Sequence, residues 1–94
     1  MIRSYRDKRT RDFADGKRVK AFAGISHKAS MKLDQLHAAI ALDDLAALPG
    51  NRFEALKADR KCQYSIRIND QWRLCFEWRQ GAPGPTDVEL VDYH

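Results

Sequence analysis

Two runs of alternating residues flank a three-residue turn signal, and only one nearby pairing keeps their apolar faces together. Tyr64, Ile66 and Ile68 alternate with Ser65 and Arg67; beyond Asn69-Asp70-Gln71, Trp72, Leu74, Phe76 and Trp78 alternate with Arg73, Cys75 and Glu77. A period of two marks a strand that buries one face, and two such runs around a turn signal make a β-hairpin. A two-residue turn at Asn69-Asp70 would set Ile66 against Arg73 and mix core with solvent faces. A three-residue loop instead sets Ile68 against Trp72, Ile66 against Leu74 and Tyr64 against Phe76. That register also places Arg67 opposite Arg73, a like-charge pair costing roughly 0.2–1 kcal/mol on the scale of cross-strand pairs. Glu77, further along the same face, is expected to relieve part of the repulsion. The pair is read as an anion site.

The rest of the chain supplies what this hairpin packs against. Met1 to Tyr5 alternates as a short strand, and residues 6–16 form a short helix anchored by Phe13 and stopped at Gly16. From Ser26 the period becomes helical. Ala29, Leu33, Leu36 and Ile40 make one stripe, Leu45 and Leu48 continue it, and Pro49-Gly50-Asn51 ends it. Phe53 to Lys57 reads as a strand and Thr86 to Tyr93 as the last one. The expected fold is therefore α+β: a short strand and two helices packed on a mainly antiparallel sheet, in the order β-α-α-β-β-β-β, as one domain over residues 1–94.

Charge and cysteines narrow the partners. Residues 1–33 hold ten Lys/Arg against three Asp, while residues 34–59 hold two against five, so the net charge of +4 is concentrated early in the chain. A basic first third predicts contact with RNA or an acidic protein surface. The longest apolar run, Ala38 to Leu42, is far too short for a bilayer span, so no membrane partner and a cytoplasmic location are expected. Cys62 and Cys75 fall on opposite faces in this register and are read as two reduced thiols. His27, His37 and His94 are dispersed, so neither a metal site nor a cofactor is expected.

What remains is a carboxylate (Glu54), four cations (Lys57, Arg60, Arg67, Arg73), a phenol (Tyr93) and an imidazole (His94). This set suits metal-free cleavage of RNA. A ribose 2′-OH must lose a proton, the pentacoordinate phosphorane needs positive charge around it, and the leaving 5′-oxygen must gain a proton. Glu54 or His94 would move protons; Arg73 and Lys57 would neutralise developing charge.

Three stretches, Pro49-Gly50-Asn51-Arg52-Phe53-Glu54-Ala55-Leu56-Lys57, Tyr64 to Phe76 (YSIRINDQWRLCF) and the closing Val91-Asp92-Tyr93-His94, resemble the HigB toxins of the RelE/ParE superfamily, as does the opening Met1-Ile2-Arg3-Ser4. The resemblance implies a RelE-like fold and a type II toxin that cleaves translated mRNA on the ribosome. It also implies neutralisation by a helix-turn-helix, HigA-like antitoxin in a heterotetramer, with DNA contacted only through the antitoxin. Carried over position by position, the active site is Glu54, Lys57, Arg73, Asp92, Tyr93 and His94, with Arg60 and Arg67 as RNA contacts. Glu54 stands where better-known members carry a histidine. Two other readings share the fold: a ParE-like inhibitor of DNA gyrase, and a catalytically weak member that binds antitoxin and RNA.

Overall fold

The hairpin pairs in the expected register: Tyr64 faces Phe76, Ile66 faces Leu74 and Arg67 faces Arg73. The computed structural model describes residues 1–55 and 63–92. Among these, four strands lie in the sheet order β1 (Glu54–Ala55), β2 (Tyr64–Arg67), β3 (Trp72–Glu77) and β4 (Thr86–Asp92), every neighbouring pair antiparallel. Leu56 to Cys62 and Tyr93-His94 lie outside the described residues, so the expected strand Phe53–Lys57 is seen only as Glu54–Ala55. The turn is closed by Asn69, whose Oδ1 accepts from the amides of Gln71 (2.9 Å) and Trp72 (2.8 Å), a side chain standing in for a backbone turn.

Helices cover one face. α1 (Lys8–Ala14) starts where Asp7 accepts from the Thr10 amide at 3.1 Å, and Gly16, at φ 91°, turns the chain after it. A 3₁₀ helix (Lys20–Ile25) leads into α2 (Ser26–Ala38). Ala29, Leu33 and Leu36 bury their stripe against Ile66, Leu74, Phe76, Val88 and Leu90. Phe22 completes this core, meeting Phe13 and Trp72 edge-on at 5.6 Å each.

The expected single helix through Leu48 is corrected. α2 ends at Ala38 because Ala39 is extended (ψ 138°), and the phase is lost: Ile40 is 86% exposed. A separate short helix, α3 (Leu42–Ala46), restores burial at Leu45, whereas Leu48 is exposed. Asp44 starts α3 by accepting from the amides of Ile40 (3.0 Å) and Ala41 (3.3 Å).

The expected first strand shrinks to a single parallel bridge, Tyr5 to Val88, yet its role is larger than its length. Arg3 N donates to Pro85 O (2.8 Å), Arg6 N to Val88 O (2.9 Å) and Val88 N to Ser4 O (3.1 Å), while Thr10 Oγ1 accepts from Leu90 N (3.1 Å). Residues 3–10 thus satisfy the edge of β4, which would otherwise offer open backbone groups. A bulge in β4 between the Cys75–Glu89 and Glu77–Thr86 pairs is absorbed by Asp87 at φ 52°. Among the described residues no helix is long and apolar enough to cross a membrane.

A Cβ at Gly84 would collide with the carbonyl oxygen of Met1, backbone that cannot swing aside. Gly84→Ala is expected to cost about 1–3 kcal/mol in urea unfolding and to speed amide exchange at Arg3. At the bulge, a hydrogen bond with Asp87, then burial and the Asp87 charge raise the Glu77 carboxyl above its usual range, against the pull of Arg79 and Arg6. A carboxyl raised by folding makes the fold lose stability as pH rises through its titration. Asp87→Asn keeps a residue type tolerant of positive φ and should raise Tm at pH 7. The gain should vanish in acid, where the Glu77 carboxyl is protonated; Tm against pH by circular dichroism checks it.

Candidate nucleic-acid interface

Ser65 stands in register with Cys75 on β3 and with Glu54 on β1, so the sheet face opposite the helices carries Glu54, Ser65, Arg67, Arg73 and Cys75 together. This face is less open than strict alternation suggests. Ser65 and Cys75 are buried, and Arg73 is 9% exposed. A guanidinium so covered must have its donors met, because an unpaired buried charge costs several kcal/mol. Arg73 Nε donates to Ser65 Oγ (2.8 Å), and Nη2 donates to Arg52 O (2.7 Å) and lies 3.6 Å from Glu54 Oε1. Arg52 offers that carbonyl from a left-handed backbone at φ 44°, a conformation uncommon for a side chain of its kind.

Arg67 has its own carboxylate, Asp70, three residues on at the hairpin tip. The expectation that Glu77 would relieve the Arg67–Arg73 repulsion is corrected. Glu77 pairs with Arg6 (3.5 Å), which also holds Glu89 (3.4 Å), while Asp70 and Glu54 serve the two arginines. Together Arg52, Glu54, Arg67, Asn69, Asp70 and Arg73 line an open cleft of about 290 Å³. Three arginines converge there with two exposed carboxylates, Asp70 beside Arg67 and Glu54 (55% exposed) beside the fixed Arg73 guanidinium. Such a cleft can hold an anion and present a base to it.

Of the residues expected in the site, Glu54, Arg67 and Arg73 come together. Asp92 is in register with Trp72, one step out of phase with Arg73, and accepts from Gln71 Nε2 at 3.0 Å at the sheet's end. Lys57, Arg60, Tyr93 and His94 lie outside the described residues. Ser65 and Arg52 were missed. The signal for Ser65 was present, since the same register that faces Arg67 with Arg73 puts a small hydroxyl beside them. Nothing local marks the Arg52 carbonyl. Among the described residues no three His, Cys, Asp or Glu side chains are grouped to hold a metal ion.

Three of the ten early cations are paired within their own segment. Asp12 takes Lys8 (3.4 Å) and Lys17 (3.7 Å), Asp7 takes Arg9 (3.7 Å), and Arg9 also lies over the Phe22 ring at 5.4 Å. Lys32 behaves differently. Only 6% exposed, it donates to Asn51 Oδ1, whose Nδ2 in turn donates to Leu45 O at 3.0 Å. Burial foremost, then Lys28 and Arg67, hold its ammonium below the ordinary lysine range.

Arg73 therefore has a structural share as well as a chemical one. Ser65→Ala should cost about 1 kcal/mol in denaturant unfolding by leaving Nε without its acceptor. Arg73→Lys should cost more, since a point ammonium cannot bridge Ser65 and Arg52 at once.

Over residues 3–94 the sequence matches the family described as RelE-like toxin of type II toxin-antitoxin system HigB. It is also 41% identical over 95 residues to Toxin HigB-1 of Vibrio cholerae serotype O1 (strain ATCC 39315 / El Tor Inaba N16961), covering 99% of this chain and 100% of that protein. Helices on a four-stranded antiparallel sheet, an arginine-rich cleft on the free face and these two full-length matches agree: the chain belongs to the HigB family of type II toxins.

Proposed function

We propose that the cleft is the active site of a ribosome-dependent endoribonuclease that cuts translated mRNA by acid–base catalysis. The observation that carries this reading is the meeting of Glu54, Arg67 and Arg73 on one face around a cleft of about 290 Å³. In it, the Glu54 carboxylate takes the proton of a ribose 2′-OH, whose oxygen attacks the adjacent phosphorus. Arg73, already oriented by Ser65, stabilises the negative charge that builds on the phosphoryl oxygens, and Arg67 holds the strand. The 5′-oxygen leaves with a proton, leaving a cyclic 2′,3′-phosphate. His94 is the donor in this scheme, with Lys57, Asp92, Tyr93 and Arg60 assisting; these five enter through the family resemblance.

A toxin of a type II system has an antitoxin partner. For this chain we assign a helix-turn-helix, HigA-like protein, joined in a heterotetramer that touches DNA through the antitoxin alone.

Primer extension on a reporter mRNA in a reconstituted translation reaction tests the activity. Breaks are expected only with translating ribosomes. Glu54→Gln should slow them by about 10²–10⁴-fold and Arg73→Ala by about 10²–10³-fold, the ranges for losing a proton-transfer group and a charge-stabilising donor. An uncut message discards the nuclease reading. Uncut but bound RNA would mark a binding member with Glu54 in the histidine's place, and blocked supercoiling would mark a gyrase inhibitor.

A further inference from the structure

The Arg73 cleft has a neighbour that the mechanism does not use. Residues 23–28 and Asn69 line a second cleft of about 410 Å³, and Asn69 lines the first one too. Both hollows thus border Asn69 at the hairpin tip. Asn69 Oδ1 is committed to the amides of Gln71 and Trp72, which fixes the tip, while its Nδ2 has no partner among the described residues.

Around this junction the cations Arg52, Arg67, Arg73, Lys28 and Lys32 outnumber the two carboxylates Glu54 and Asp70, which pair with Arg73 and Arg67. Lys28, exposed at the start of α2, has no carboxylate partner among the described residues, and no carboxylate lines the second cleft. One helical turn on, Lys32 is buried against Asn51, which meets the β2 end through its carbonyl and the Arg67 amide. Lys28 and Arg67 each press on the Lys32 ammonium, so each lies within electrostatic reach of it. Such a series runs from Arg73 and Arg67 on one side of the hairpin to Lys28 on the other. Its self-repulsion is offset by a flexible chain of evenly spaced negative charges better than by one anion.

We propose that a single-stranded RNA bound at Arg73 continues past Asn69 into the second cleft, where Lys28 and His27 hold a backbone phosphate beyond the scissile one. This rests on reading the Arg73 cleft as an RNA site. Lys28 is a binding residue in this arrangement, and Asn69 marks the bend in the strand. The contact is to phosphate, so it adds affinity without choosing a base.

Fluorescence anisotropy with 2′-O-methylated RNA of three and ten nucleotides, which cannot be cut through the 2′-oxygen, tests it at several salt concentrations. The wild type should bind the ten-mer more tightly and with a steeper salt dependence. Lys28→Gln, at an exposed position, should weaken the ten-mer about 3–10-fold and flatten the log–log salt slope by about 0.7, the value for one phosphate of a single strand, leaving the three-mer unchanged. Wild-type ten-mer affinity and slope in Lys28→Gln, with Arg67→Gln weakening both lengths, would overturn the extension and leave the Arg73 cleft standing. An equal loss against polyglutamate would also overturn it, by showing a general field instead of a strand path. Binding of neither length by the wild type removes the extension whatever the cleavage assay gives.

Discussion

The hydrogen bond from Arg73 Nε to Ser65 Oγ is the interaction around which the cleft-bearing sheet face is organised. A cation with 9% exposure is tolerable only when its donors are met, and Ser65 and the Arg52 carbonyl meet them from two different elements. The guanidinium thereby ties β2, β3 and the segment entering β1 into one unit. It also leaves Glu54 at 3.6 Å, near enough to feel the charge and exposed enough to reach a ligand. Removing the hydroxyl would leave Nε without its acceptor while the Arg52 carbonyl still holds the guanidinium at Nη2.

Opposed demands are reconciled by where each carboxylate sits. Facing arginines cost stability, yet an anion site needs them close. Asp70 at the hairpin tip and Glu54 on β1 each neutralise one arginine from the rim, so the pair persists without sealing the cleft. Arg6 performs the reverse service elsewhere, holding Glu77 and Glu89 at the other end of the sheet. The sheet face is thus divided into an end where cations dominate and an end where a cation bridges acids.

The hairpin register is legible in the sequence because polar and apolar residues alternate over both strands; a one-residue slip would turn the apolar side chains of a strand to the wrong face. The α2 stripe was legible for the same reason up to Leu36. It failed at Ile40 because an Ala-rich stretch carries no stop signal, and the break at Ala39 is set by Asp44 reaching back to cap α3. In the site, Glu54, Arg67 and Arg73 were legible from register and resemblance together. The Arg52 carbonyl was not, since a backbone group gives no sign of its direction in the sequence. Nor was the burial of Lys32, which depends on Asn51 meeting it across nineteen residues.

The edge of β4 and the arginine cleft differ in the length of chain that each must close. Ser65 and Arg73 are eight residues apart, so their bond closes within one hairpin. The bonds from Asp87 to Ser4 and from Leu90 to Thr10 span 83 and 80 residues. Short loops close early and at small entropic cost, whereas contacts between distant residues form after most of the chain is ordered. The order of assembly follows: the hairpin that fixes Arg73 can form while residues 3–10 are still searching for their place. Loosening that late-joining edge would yield species that retain the paired arginines yet expose an unfinished sheet border. Such species are where this fold is most open to proteolysis and self-association.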